Sequence, residues 1–346
     1  MLQWTSVLFS NNKIMECQQF VLASRPHGLP SSDNFRVEKK DLETLKDNEV
    51  LLKSWYISVD PYMRGRMNNV KSYASPFEVD QPIAGGVVAK VVESRSKSLV
   101  EGDIVFGMLP WATYCIEKAE KLRKVDIQSF PPSYYLGILG MPGLTAYFGM
   151  TDIGKPRAGE IVVVSGAAGA VGIIAGQIAR MEGAFVVGIT GSDEKCRMLK
   201  EEIGFDEAVN YKTTKSIRKA IAAICPKGVD VYFDNVGGEI SDAVIDNLNF
   251  HSRIVLCGQI SLYNNTERPM GPRILPMLLT RSVLLKGFIV SNYSDRFVEG
   301  FSNLAQWVAQ GKLKYKETII HGFDKLPETF LALFSGKNEG KMLIET

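Results

Sequence analysis

Ile161-Val162-Val163-Val164-Ser165-Gly166-Ala167-Ala168-Gly169-Ala170-Val171-Gly172 is the stretch on which the reading of this chain turns. Four consecutive β-branched residues make the pattern of a strand buried on both faces, and the following residues place Val171, Ile174, Ala175, Ile178 and Ala179 on one face of a helix. Every position of the turn between them is small. A helix start reached through such a turn directs unpaired N–H groups and a positive dipole end at an anion. Gly169 lets the backbone approach a pyrophosphate, and Gly172 lets helix pack on strand. Ala167 stands where the commoner G-x-G-x-x-G spelling has its second glycine; the strand before and the helix after supply the context that a lone glycine pattern lacks. The expectation is a dinucleotide-binding βα unit.

Downstream, FVVGIT (185–190) reads as a second strand, a helix runs from about Asp193 to Ile203, and strands follow at EAVNY (207–211), VDVYFDNV (229–236), RIVLCG (253–258) and VLLKGFIV (283–290). Six parallel strands fit two mononucleotide-binding halves. The tip of the second strand, Thr190-Gly191-Ser192, lacks the Asp or Glu that would hold the ribose hydroxyls of NAD. An uncharged tip tolerates a 2′-phosphate, and Lys195, one helical turn on, offers it a compact positive charge, so the expected cofactor is NADPH. The competing reading of Lys195 is a solvated surface lysine. Asp193 and Glu194 read as helix-start residues.

Upstream, FRVEKK, EVLLKSWYISV, GGVVAKVVES and DIVFGM are short strands broken by turn residues, an irregular β domain. The character changes after Pro131-Pro132. The tail after about Gln310, with TIIHGF, a helix containing Pro327 and KMLIE, returns to short strands and completes the first domain. The expected division is residues 1–130 with 311–346 for the β domain and 131–310 for the nucleotide-binding domain. The segment 141–146, rich in Gly and Pro, crosses between them. Residues 1–14 lack the features of a signal peptide and read as a dispensable extension, since Met15 opens a strand.

Lys plus Arg number 40 against 38 Asp plus Glu, a net +2 too balanced for a nucleic-acid-binding face. No apolar window reaches a membrane span. The five cysteines, Cys17, Cys115, Cys196, Cys225 and Cys257, are scattered, which suits free thiols in a reducing compartment, the cytosol. His27, His251 and His321 lie far apart with no neighbouring ligand spacing, so no zinc site is expected, and no G-x-S-x-G elbow occurs.

Nine stretches together resemble one family: VLASRPHGLP (21–30), SVDPYMRGRM (58–67), GMPGLTAYFGM (140–150), AAGAVG (167–172), GSDEK (191–195), NYK (210–212), FDNVGG (233–238), CGQISLYN (257–264) and GKNEGK (336–341). It is the prostaglandin reductase, plant double-bond (2-alkenal) reductase and curcumin reductase branch of the zinc-independent medium-chain reductases. The resemblance implies an α/β chain, a GroES-like β domain beside a Rossmann doubly wound parallel sheet, that reduces enones or enals with NADPH. It implies that Gly169, Ala170, Val171 and Gly172 hold the pyrophosphate and that Lys195 and Tyr211 hold the 2′-phosphate. It also implies that Asn235, Cys257, Gly258, Ser261, Tyr263, Phe288, Ile289, Val290 and Asn338 line the nicotinamide half. A homodimer is expected, paired through VLLKGFIV. The chain departs from the plant branch at Gly86, where that branch carries an active-site tyrosine, which puts a phenylpropenal preference in doubt.

Hydride arriving at the β-carbon of an enone leaves negative charge on the carbonyl oxygen, so catalysis reduces to positioning plus a donor at that enolate. Tyr263 is the first candidate and Tyr62 the second; the cofactor's ribose 2′-hydroxyl is the alternative to both, and the α-carbon proton comes from water. Arg64 and Arg66 read better as solvated loop arginines than as attractors of an acidic substrate. Two further readings stand: a quinone reductase with the same cofactor residues, and an NADPH-binding protein without catalysis.

Overall fold

The computed structural model describes residues 16–346, so the expected extension 1–14 lies outside the described residues. β1 (Glu16–Leu22) and β2 (Phe35–Asp41) form an antiparallel ribbon. They are followed by β3 (Glu49–Ser58), the five-residue helix α1 (Tyr62–Arg66), β4 (Ala84–Ser94), β5 (Ile104–Pro110), β6 (Tyr114–Lys118) and β7 (Arg123–Lys124). After α2 (Met141–Phe148) the chain alternates: β8 (Ile161–Ser165), α3 (Gly172–Met181), β9 (Phe185–Thr190), α4 (Asp193–Met198), β10 (Glu207–Asn210), α5 (Ile217–Ile224), β11 (Val229–Asp234), α6 (Gly238–Ile245), β12 (Leu248–Leu256), α7 (Leu275–Thr280), β13 (Leu284–Gly287) and α8 (Phe297–Ala309). β14 (Glu317–His321), α9 (Leu326–Ala332) and β15 (Lys341–Glu345) close it.

β8 to β13 form one parallel sheet in the order β10-β9-β8-β11-β12-β13, the doubly wound arrangement in which the order reverses between β8 and β11. Ligands of such sheets sit outside the carboxyl ends at that reversal. β8 is buried at every residue, as its unbroken apolar run demands. α3 corrects the one-faced reading: it is buried continuously from Gly172 to Ala179. Its outer side is covered where Gln177 donates to the Lys314 carbonyl (2.8 Å) and accepts from the Lys314 N–H (2.7 Å).

The second large sheet runs β14-β15-β3-β4-β5-β7, with β6 added on β3. The tail returns by pairing β15 antiparallel to β3, Leu343 opposite Ser58, which brings the last strand beside the segment entering α1. Val50, Leu52 and Ile57 of β3 bury against Met63 and Trp111 and, from α9, Phe330. The chain is thus α/β, an irregular mixed sheet of GroES-like kind beside a Rossmann sheet. One apolar cluster passes from Val88, Tyr135 and Leu343 through Phe148 and Ile174 to Phe233 and Phe288, so the two sheets share a continuous core.

Candidate functional site

The turn after β8 is closed by its own backbone. Gly166 adopts φ +59°, and the Gly169 N–H donates to the Gly166 carbonyl at 3.0 Å. A Cβ on Gly172 would overlap the Gly166 carbonyl oxygen. Glycine is required there by the closing turn and by the approach of the first residue of α3 to the Ala167 backbone just past β8, and Gly176 and Gly188 are further close contacts, where a Cβ would run into Phe205 and Leu199. Ala167 is fully buried, its methyl turned to Gly188, so this departure from the glycine spelling leaves the mouth of the loop clear. No side chain caps α3; the Ile173 N–H donates to the Gly169 carbonyl (3.1 Å), and a helix start without a side-chain cap offers its remaining N–H groups to a ligand. The segment 336–341 lies against this loop: the Gly340 N–H donates to the Ala168 carbonyl (2.8 Å), and Asn338 Nδ2 donates to the Gly340 carbonyl (3.0 Å). Through Gly340 the segment that carries Asn338 is joined to this loop.

At the tip of β9, Ser192 caps α4 by accepting the Lys195 N–H, and Lys195 Nζ donates to the Gly336 carbonyl at 2.8 Å. Burial, with Lys212 nearby, lowers the Lys195 pKa from its ordinary value; it is held, not free in solvent. The Tyr211 ring covers Gly191, where a Cβ would come within 3.0 Å of it. An amine and an aromatic ring thus flank an uncharged strand tip.

Beyond the ends of β12 and β13 opens a cleft of about 420 Å³, lined by Cys257, Gly258, Gln259, Tyr263, Phe288 and Ile289 among others. Asn235 fastens β11 to β8, its N–H donating to Ser165 Oγ (3.0 Å) and its Nδ2 to the Ser165 carbonyl (2.7 Å). Ser261 Oγ donates to the Val236 carbonyl (2.7 Å), and Val290 packs into the core behind the cleft. Burial and the charge of Asp234 push the Cys257 thiol up to about 12. The Tyr263 hydroxyl accepts the Gln259 N–H at 3.3 Å, leaving its own proton free, and burial holds its pKa above the ordinary value.

Sequence reasoning missed the centre of this end. Asp234 is 2% exposed. It accepts from Ser165 Oγ, the Tyr232 hydroxyl and the N–H groups of Val236 and Gly237 on one oxygen, and from Ser241 Oγ and Gln259 Nε2 on the other. Those donors replace its water and tie β8, β11, α6 and the Gln259–Tyr263 loop to one point. The available signal was a carboxylate closing the apolar run VDVYF.

In the other sheet's domain, α1 carries Tyr62, whose phenol is raised well above its ordinary value by burial and by the Asp60 charge. Asp60 is itself buried, hydrogen-bonded to Ser58 and paired with Lys341 Nζ at 3.1 Å. The arginines correct the sequence reading. Arg64 is buried, and Arg66 lies over the Phe77 ring at 4.1 Å with Nε donating to the Ser75 carbonyl (2.9 Å). A Cβ at Gly86 would meet a Leu136 methyl at 3.2 Å and the Phe106 ring at 3.5 Å, so a larger residue there has to press on both. Among the described residues no three His, Cys, Asp or Glu side chains gather to hold a metal ion, and no helix is long and apolar enough to cross a membrane.

An uncapped helix start, a lysine at an uncharged strand tip and a tyrosine-lined cleft at the sheet's reversal fit a phosphorylated dinucleotide, and define a dinucleotide-dependent oxidoreductase fold. The comparisons with known proteins agree. Residues 18–125 match the N-terminal domain of oxidoreductase family and residues 170–310 the zinc-binding dehydrogenase family. YfmJ of Bacillus subtilis, assigned by name to the NADP-dependent oxidoreductases, is 56% identical over 330 residues, 95% of this chain and 97% of that protein. The NADPH-dependent curcumin reductase of Escherichia coli is 44% identical (94% and 96%), and prostaglandin reductase 1 of Bos taurus 43% (92% and 95%). The structure of CurA from Vibrio vulnificus in complex with NADPH superposes with a TM-score of 0.90 at 42% identity, covering 95% of this chain and 99% of that one. The chain belongs to the medium-chain dehydrogenase/reductase family, in its branch of NADP-dependent curcumin, prostaglandin and 2-alkenal reductases.

Proposed function

We propose that this chain reduces the carbon–carbon double bond of α,β-unsaturated ketones and aldehydes, adding hydride to the β-carbon while the developing enolate is held by a protein hydrogen bond. The observation that carries the reading is Tyr263: a protonated hydroxyl on the wall of the cleft, its acceptor side already engaged by the Gln259 N–H. Relatives in the same branch are named for curcumin and for 2-alkenals.

NADPH, when bound, supplies the hydride. The turn Gly169–Gly172 binds its pyrophosphate, Lys195 and Tyr211 take its 2′-phosphate, and Asn235, Cys257, Gly258, Ser261, Phe288, Ile289, Val290 and Asn338 form and support the surface that orients its nicotinamide half. Tyr263 donates to the carbonyl oxygen, where charge develops, and Tyr62 forms the opposing wall. Their raised pKa values keep both phenols as donors. Water protonates the α-carbon. The division into 1–130 with 311–346 and 131–310, a homodimer joined through β13, and a cytosolic location suited to five free cysteines complete the proposal.

The test is NADPH oxidation with a small enone, a 2-alkenal and a quinone in parallel, repeated with NADH and with Tyr263→Phe. Turnover of the enone and alkenal with NADPH, cut about tenfold to a hundredfold in kcat by Tyr263→Phe, is expected. Faster turnover of the quinone would make the chain a quinone reductase; NADPH binding with no turnover would make it a binding protein.

A further inference from the structure

Three of the stretches that carry the family resemblance, 21–30, 58–67 and 257–264, are distant in sequence and meet at one side chain. Arg64, on α1, is 2% exposed. Its Nη2 and Nε donate to the Gly28 carbonyl (2.7 and 3.2 Å), Nε also to Asn264 Oδ1 (3.0 Å), and Nη1 to Asn68 Oδ1 (2.7 Å). Every acceptor is neutral, and burial with no opposing charge lowers the Arg64 pKa.

A buried guanidinium without a carboxylate is an expensive way to fill space, and an apolar side chain of similar volume would cost less. Its use lies in reach. The rigid fork of five donors can hold three separate segments at once, which a lysine's point charge cannot. Those segments are α1, which carries Tyr62 two residues earlier; the Gly28 turn, which adopts φ +81° and packs on Thr266; and Asn264, the residue after Tyr263. The contact to Asn264 joins α1 to the loop that follows β12 of the parallel sheet.

We propose that Arg64 is a positioning residue for the reaction: through Asn264 it holds the loop that carries Tyr263 against the Tyr62 side of the cleft, setting the hydroxyl before substrate arrives. This rests on the reading of Tyr263 as the enolate donor. A donor fixed in advance needs no reorganisation as charge develops, and a displacement of a fraction of an ångström weakens it.

A double-mutant cycle tests the route. Asn264→Ala is expected to lower kcat with a small enone about tenfold, with NADPH affinity and the unfolding midpoint unchanged. Asn264→Asp keeps the acceptor and should stay within about threefold of the parent kcat. In the Tyr263→Phe background, Asn264→Ala should change kcat less than about twofold, because the group it positions is gone. Additive losses, or an unchanged kcat for Asn264→Ala, overturn the proposal while leaving the donor reading intact. A full kcat for Tyr263→Phe overturns the donor reading itself, and a loss in Asn264→Ala would then lie elsewhere than through Tyr263.

Discussion

At Tyr263 and Lys195 the chemistry depends on which protonation state the surroundings favour. Burial disfavours the phenolate, so Tyr263 and Tyr62 both have pKa values raised above the ordinary value of about 10. The sign is definite: the proton-bearing donor persists through and beyond the pH at which a free tyrosine loses it. A kcat profile for enone reduction is therefore expected to show no descending limb with a midpoint below about pH 10; one found there and abolished by Tyr263→Phe would mean that the donor titrates as an exposed phenol. Lys195 is shifted the opposite way by burial, which outweighs the nearby Glu339 charge, and its ammonium donates to the Gly336 carbonyl. A 2′-phosphate would give that ammonium a charged hydrogen-bond acceptor in addition to the carbonyl. Lys195→Ala should weaken NADPH binding by roughly tenfold to a hundredfold, the range of a charge-assisted hydrogen bond, and leave NADH binding unchanged. Equal losses for both cofactors, measured by fluorescence titration, would place Lys195 away from the 2′-phosphate.

At the scale of elements, α2 shows how tightly the passage between the sheets is made. A Cβ on Gly143 would overlap the Ile138 carbonyl oxygen, and one on Gly140 the Tyr135 carbonyl oxygen, so the helix is docked backbone to backbone. Gly143→Ala is expected to cost about 3 kcal/mol and to lower the thermal unfolding midpoint by several degrees; an unchanged midpoint would show that the helix start can slide. The elements most legible in the sequence were those whose pattern is local. β8 announced itself by four β-branched residues, and the turn after it by its small side chains. β12 was read from Arg253 although it begins at Leu248, because its pairing with β11 shifts register there and His251 adopts φ +60°, which looks like a turn. α1 has five residues, too few to show a helical period. The candidate residues of the phosphate loop and strand tips came from spacing and resemblance. Asp234 and Arg64 did not, because what marks them is a set of donors or acceptors assembled from segments up to 200 residues apart, and no local pattern records that.

Over the whole molecule the unbalanced feature is the β13 edge of the parallel sheet. β13 pairs with β12 on one side only, and all four of its residues are exposed, Leu284 at 51% and Leu285 at 40%. Beside it α7 exposes Leu275 (73%) and Leu279 (80%). An open strand edge flanked by apolar helix residues invites a second chain. A two-fold axis beside β13 would satisfy the edge with itself and cover both leucine pairs, joining two six-stranded sheets into one. The arrangement also bears on the site, because Phe288 and Ile289, which follow β13 directly, line the cleft. Light scattering should therefore give twice the chain mass at micromolar concentration. Leu279→Glu combined with Leu285→Lys should give a monomer that still binds NADPH at the phosphate loop but has a raised KM for the enone, since the cleft wall loses the strand that braces it. A monomeric parent protein would remove the dimer; a monomeric variant with an unchanged KM would keep the dimer and detach it from the site.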